Sequence, residues 1–556
     1  ANTNTGAIAF NGDLTVAGQF SAAKGSTYDI SIVGALNDIG GPVALLNTGA
    51  LTIGDSDTDN TRFHSGVSRS LNTKLQGIVA FDGPVTLGSA NATTSGGNLA
   101  LSAESLNLAY GPGNAFGALS IVTNFATVFT AGALASTTLS VDAASIGQTN
   151  GTLAPTGAVT LTATGAITLA GANNLGGDVT FNGAAVTIND ATALTLAGAS
   201  TATGNLVLTS SNGISQTGGS VSVTGNTTLT SAGKDISLNQ SGNAFAGTVG
   251  FSGANVDITD STALELVQSN ATGNLNLTGG GTGVTQSGKL TVGGNTTAQA
   301  ASGDINLGNT ANAFTGSVGL TANNATLTDS TPLTLGTTTL SGTLAVTSGG
   351  NITQGGVVAV TGNATFVANG FDITLADPAN DFSSVGFGGA DDVAITDTSG
   401  ISLNAGSITG SLAVTANATG GTGTITDNGP LVVAGDAVFA AGTTGDVTLD
   451  AANNFNTLGV TSARNVVVND INALALADST ISGTLDVTTS GAITGPGAVA
   501  VTGKATFTAG AANDIFLANA LNDFNSVGIV SGKDVVLTDR SAIDLAASTV
   551  SGTLDV

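Results

Sequence analysis

The chain has 556 residues, among them 81 Gly, 8 Pro and no Cys, Met or Trp, and its 36 acids against 10 bases give a net charge of -26. Phosphate binding through counterion release needs clustered Lys and Arg, so nucleic acid is excluded as a partner, and the missing Cys exclude disulfides, thiol redox chemistry and thiolate zinc sites. Hydrophobic residues reach 41% against 8% charged, enough to bury a core, yet no run of about 20 apolar residues is present to span a membrane.

The opening "ANTNTGAIAF" has neither the basic stretch nor the apolar core of a secretory signal, so any export signal is expected to have been removed or to lie outside this sequence. Residues 1–115 are the less regular part and hold Lys24, Tyr28, Arg62, His64, Arg69, Lys74 and Tyr110. With no linker after residue 115, they read as irregular coils with longer loops, continuous with the regular remainder of the chain. In "DSDTDN", Asp55, Asp57 and Asp59 stand at alternate positions, as at the start of a calcium loop. A full EF-hand loop would continue with Gly sixth and Glu twelfth, where this chain has Asn60 and Gly66. An acidic solvated loop is the simpler reading, and calcium is the cofactor these residues would suggest. His64, the one histidine, follows Arg62 and Phe63 in that loop, and one histidine among many serines does not make a triad.

Residues 116–556 repeat. Leu175, Phe245, Phe314, Phe382, Phe455 and Phe524 succeed one another at 70, 69, 68, 73 and 69 residues. Fifteen residues after each stands an Asp closing a short apolar run: Asp190, Asp260, Asp329, Asp397, Asp470 and Asp539. Thirteen residues after the last five of these come Gly273, Gly342, Gly410, Gly483 and Gly552. Strand-like runs opening at Gly273, Gly294, Gly316 and Gly342 give a subperiod of 21, 22 and 26 residues. Apolar and polar residues alternate within them, as in strands with one buried face, and Gly and Asn are expected to supply positive-φ corners.

Such periods predict an all-β chain: a right-handed parallel β-helix, or β-solenoid, of about 24 coils, three to each roughly 69-residue repeat. At about 4.8 Å per coil this is a rod on the order of 115 Å. Tandem sandwiches would need more strands per repeat and distinct linkers.

The Asp series tempts a metal reading, but copies three coils apart would stand about 14 Å from one another, too far to share an ion. Each is expected to form an Asx turn after its strand. The Phe series is expected to fill a wide corner of the core, Leu175 keeping the volume without the ring; stacking on surface glycans would require exposed rings. Asp391, Asp392 and Asp397 are the best nominees for a carboxylate cluster of the polysaccharide-cleaving kind, yet Asp397 belongs to the repeated corner.

The stretches "GNLNLTGGGTGVTQSGKLTVGGNTTAQAASGDINLGN" and "SGTLAVTSGGNITQGG" resemble the repeat regions of filamentous-haemagglutinin-type exoproteins and other giant bacterial surface proteins with β-strand repeats. The resemblance implies export across a Gram-negative envelope and an extracellular fibre at the cell surface, active in adhesion, aggregation or biofilm. The expected function is non-enzymatic: a stalk segment of a large surface adhesin, its partners being neighbouring coils of the same parent chain. The alternative is a subunit of a filament or sheath whose copies stack end to end; a polysaccharide-acting enzyme comes third.

Overall fold

The computed structural model describes residues 6–111, 115–416 and 423–556, leaving aside the side chain of Ser70. The chain divides into two compact units, residues 1–273 and 274–556. Each is a parallel β-solenoid. Among the described residues there is no helix, and none therefore long and apolar enough to cross a membrane.

Strands of mostly three to six residues alternate inward and outward side chains. Val186–Asp190 and Leu344–Ser348 are buried at their first, third and fifth positions. In the first unit Val186 pairs in parallel with Leu206, Leu206 with Thr227, and Thr227 with Val249, so each coil rests on the one before. Burying the apolar face of one coil requires the next, which is why the pattern runs without a break. Residues 99–103 pair forward with 119–123, and 116–122 with 136–142, making the irregular first part continuous with the repeats.

The described residues make about 27 turns, close to the 24 expected, a coil taking about twenty residues. The repeat is not a whole number of coils. In the second unit Leu333 pairs with Ile352, then the column runs through Ile373, Val393, Leu412, Ala437 and Leu458 to Leu476. Seven steps thus end two residues beyond Leu474, which stands two repeats after Leu333. The intermediate copy, Ile401, falls between Val393 and Leu412 and pairs with Ile425 in another column. The expected three coils per repeat become seven per two repeats, and successive repeats present the same residues on alternate sides of the coil.

A strand split produces the half step. Thr248–Gly253 is one strand, but its first end pairs with Leu264–Leu266 and its last with Ser269–Ala271. The gap between those two strands leaves the Phe251 N–H without a ladder acceptor. Ser269 Oγ accepts it at 3.1 Å and donates to the Val267 carbonyl at 2.9 Å. Ser200, Ser479 and Ser548 accept from Phe181, Val460 and Ile529 in the same way.

Glycines such as Gly198, Gly233 and Gly510 have the expected positive φ, while the repeated series does a different job. Gly273, Gly342, Gly410, Gly483 and Gly552 have no positive φ, and among the described non-glycine residues only Asn369 does. At Gly342 a Cβ would stand 2.2 Å from Asn324 Oδ1, and at Gly483 2.3 Å from Asn465 Oδ1. The residue after each glycine donates its N–H to that same oxygen, Thr343 at 2.8 Å and Thr484 at 3.1 Å. Glycine is needed for close approach to a side chain of the coil below.

Candidate functional site: the buried polar corner of each repeat

The phenylalanines of the series are wholly buried, as is Leu175, so none of these rings is available to stack on a glycan. Three of them meet a second ring edge-on: Phe382 with Phe366, Phe455 with Phe439 and Phe524 with Phe507, at 6.1–6.2 Å. The aspartates of the series are buried as well, apart from Asp539, which is half-buried.

Each carboxylate joins two coils. Asp329 Oδ1 accepts from the Thr331 N–H at 2.9 Å and its hydroxyl at 2.8 Å, closing the expected Asx turn. Its Oδ2 faces backward to accept the Phe314 N–H at 3.3 Å. The same backward bond runs from Leu175 to Asp190, Phe245 to Asp260, Phe382 to Asp397, Phe455 to Asp470 and Phe524 to Asp539, at 2.6–3.3 Å. Burial holds the carboxyls of Asp190, Asp260, Asp329, Asp397 and Asp470 above the ordinary range, and the accepted N–H bonds pull them part of the way back.

Two residues before each Leu or Phe lies a buried asparagine: Asn173, Asn243, Asn312, Asn380, Asn453 and Asn522. The sequence shows an Asn at this place in every copy but not what it bonds to. Asn312 makes four hydrogen bonds. Its Oδ1 accepts from Leu290 N at 2.9 Å and Gln286 Nε2 at 2.8 Å; its Nδ2 donates to the Leu307 carbonyl at 3.0 Å and Gln286 Oε1 at 2.9 Å. The two amides therefore clasp each other head to tail across coils. Gln216 with Asn243, Gln354 with Asn380 and Gln148 with Asn173 repeat the clasp. In the fifth copy Asp427 replaces the glutamine and accepts from Asn453 Nδ2 at 2.6 Å; burial raises its carboxyl, the asparagine opposing. In the sixth, Gly495 stands there, and Asn522 keeps the bonds to Val499 N and Leu517 O.

Corners half a repeat-step out of phase lie about 3.5 coils, or roughly 17 Å, apart along the coil axis within a unit. Asp397 turns to Phe382 and Ser399, Asp391 to the Thr409 hydroxyl at 3.0 Å, and Asp392 to Ser411 N at 2.7 Å, so the nominated trio has three separate sets of partners.

The N-terminal acidic loop is built the same way. Asp59 accepts from the N–H groups of Asp55 and Ser56, at 2.8 and 3.1 Å. Asp57 accepts from Gln76 Nε2 at 2.8 Å and from Asn98 N and Nδ2, both at 2.9 Å. Asp55 is exposed, and its carboxyl is raised by burial first and by neighbouring Asp59 second. The three carboxylates do not converge, and among the described residues no three His, Cys, Asp or Glu side chains are grouped to hold an ion. His64 has both ring nitrogens against carboxylates, Asp38 and Asp82. Arg69 is buried without an acid; its guanidinium donates to the carbonyls of Leu45, Asn47 and Gly49 and so fastens the loop of the coil below.

Six consecutive copies of one family match the chain, described as Repeats of unknown function (DUF5649), over residues 116–182, 183–252, 253–321, 322–386, 390–462 and 463–531. Its boundaries advance in step with the Phe and Asp series. No curated protein and no solved structure matches the chain. With most of its length in these six copies, the chain belongs to this family of repeats of unknown function.

Proposed function

We propose that this chain is a non-enzymatic structural element of an extracellular fibre, a stalk segment of a large bacterial surface adhesin of the filamentous-haemagglutinin kind. The observation that carries the reading is the engagement of the repeated Asn and Asp in bonds between coils, as Asn312 bonds to Gln286 and Leu290 and Asp329 to Phe314. Residues that recur in every repeat and are buried maintain the coil; they do not meet a substrate. The acidic surface, with a net charge of -26, favours solubility and disfavours adherence to other anionic surfaces.

Labelling intact producing cells with an antibody to this chain tests the location. Signal on unpermeabilised cells, lost after brief external protease, is expected; signal only after permeabilisation contradicts the reading. Electron microscopy of the purified chain across concentrations separates the alternative. Particles one chain long favour the stalk, and long filaments with a one-chain repeat favour the end-to-end subunit.

A further inference from the structure

Three successive coils of the first unit bring the chain's one histidine between two carboxylates. His64 Nε2 lies 2.8 Å from Asp38 Oδ1, and its Nδ1 lies 2.9 Å from Asp82 Oδ2. Asp38 pairs with Arg62 across one coil step, and Phe63 with Phe81 across the next. Among the described residues the other charged group in contact is Arg62, whose Nη2 is 3.1 Å from Asp82 Oδ1.

A neutral imidazole has one N–H and one lone pair, whereas imidazolium has two N–H groups. The neutral ring therefore donates to one carboxylate and turns a lone pair toward the other, which repels it. Protonated, it donates to both. Charge counts the same way: Asp38 and Asp82 exceed Arg62 by one unit until the ring takes its second proton. We propose that His64 is a proton-operated clamp across three coils, closed when the imidazole is doubly protonated and loosened when it is neutral.

Beneath the clamp, Phe63 and Phe81 stack with centroids 4.8 Å apart and planes 7° from parallel. That core keeps the coils together in either state, so the clamp adjusts local opening and leaves the fold intact. The three side chains are partly exposed, 35% for His64, 59% for Asp38 and 37% for Asp82, which sets the effect at the scale of a surface ion pair.

The test is hydrogen exchange of the whole chain at about pH 5 and about pH 8, corrected for intrinsic rates, alongside His64→Asn. The clamp predicts that backbone amides of residues 60–64 and 77–82 exchange roughly threefold more slowly at the lower pH in the native chain, and that His64→Asn, with unchanged circular dichroism, loses this difference. Equal pH responses in the two chains, or none in the native chain, would overturn it. If the variant fails to fold, the nitrogen-bound protons of the single imidazole decide: at about pH 5, both N–H protons seen and protected from water exchange support the clamp, and free exchange of either refutes it.

Discussion

Asn312 shows how much of the fold rests on one side chain. Replacing it with Ala strands the Leu290 N–H, the Leu307 carbonyl and Gln286 Oε1, while Gln286 Nε2 keeps its bond to the Gly288 carbonyl. The cost is about 2–4 kcal/mol, read as a lower urea midpoint for the second unit. Asn522→Ala, with no glutamine partner to strand, is expected to cost about half as much. Equal losses would mean that the amide clasp contributes nothing. Gly342→Ala is expected to destabilise by about 1–3 kcal/mol, because the new Cβ meets Asn324 Oδ1 whatever its φ. A Gly342→Ala chain that melts with the parent would show that the coils can part without cost. The buried aspartates add a pH dependence. Since burial raises them in the folded chain, folding takes up protons; their contribution is complete below the ordinary value of 3.8 and is lost as pH rises through the raised folded values. The partly exposed Asp446, Asp523 and Asp534 are lowered, Asp534 to about 2 by bonds from Thr553 first and Lys533 after, and weaken the fold only as pH falls below 3.8. The urea midpoint is therefore expected to be higher at about pH 4 than at about pH 7; a fall over that interval would contradict the burial argument.

At the scale of the strand, what can be read from the sequence is whatever recurs in the local alternation. Val186–Asp190 announces its buried face by apolar residues two apart, and Phe245 and Asp260 announce the corner by their fixed separation. The parallel coil follows from these and is legible. The seven-to-two relation is not, because it depends on Ser269 dividing one strand into two in the next coil, and nothing near Ser269 in sequence shows which coil it will meet. Asn243 is visible but mute: an asparagine beside an aromatic looks like a loop residue until its partner Gln216, 27 positions earlier, is brought against it. The core slot itself is tolerant of shape. Leu175 already occupies it in one copy, so Phe382→Leu is expected to cost less than about 1.5 kcal/mol and Phe382→Ala about 3–5 kcal/mol. Thermal melting of the pair checks this, and a leucine as damaging as alanine would mean that the edge contact with Phe366, not volume, fills the corner.

For the whole molecule, six related repeats put their polar as well as their apolar residues into contacts between neighbouring coils. Stability in such an array is close to a sum over coils and their interfaces, so resistance to force should come in coil-sized parcels. The most direct measurement is single-molecule pulling of the chain from its two ends. A solenoid held coil to coil in this way is predicted to resist and then yield in discrete steps, each a whole number of coils at about 70 Å of released chain per twenty-residue coil. Smooth extension at low force, with no steps, would contradict it.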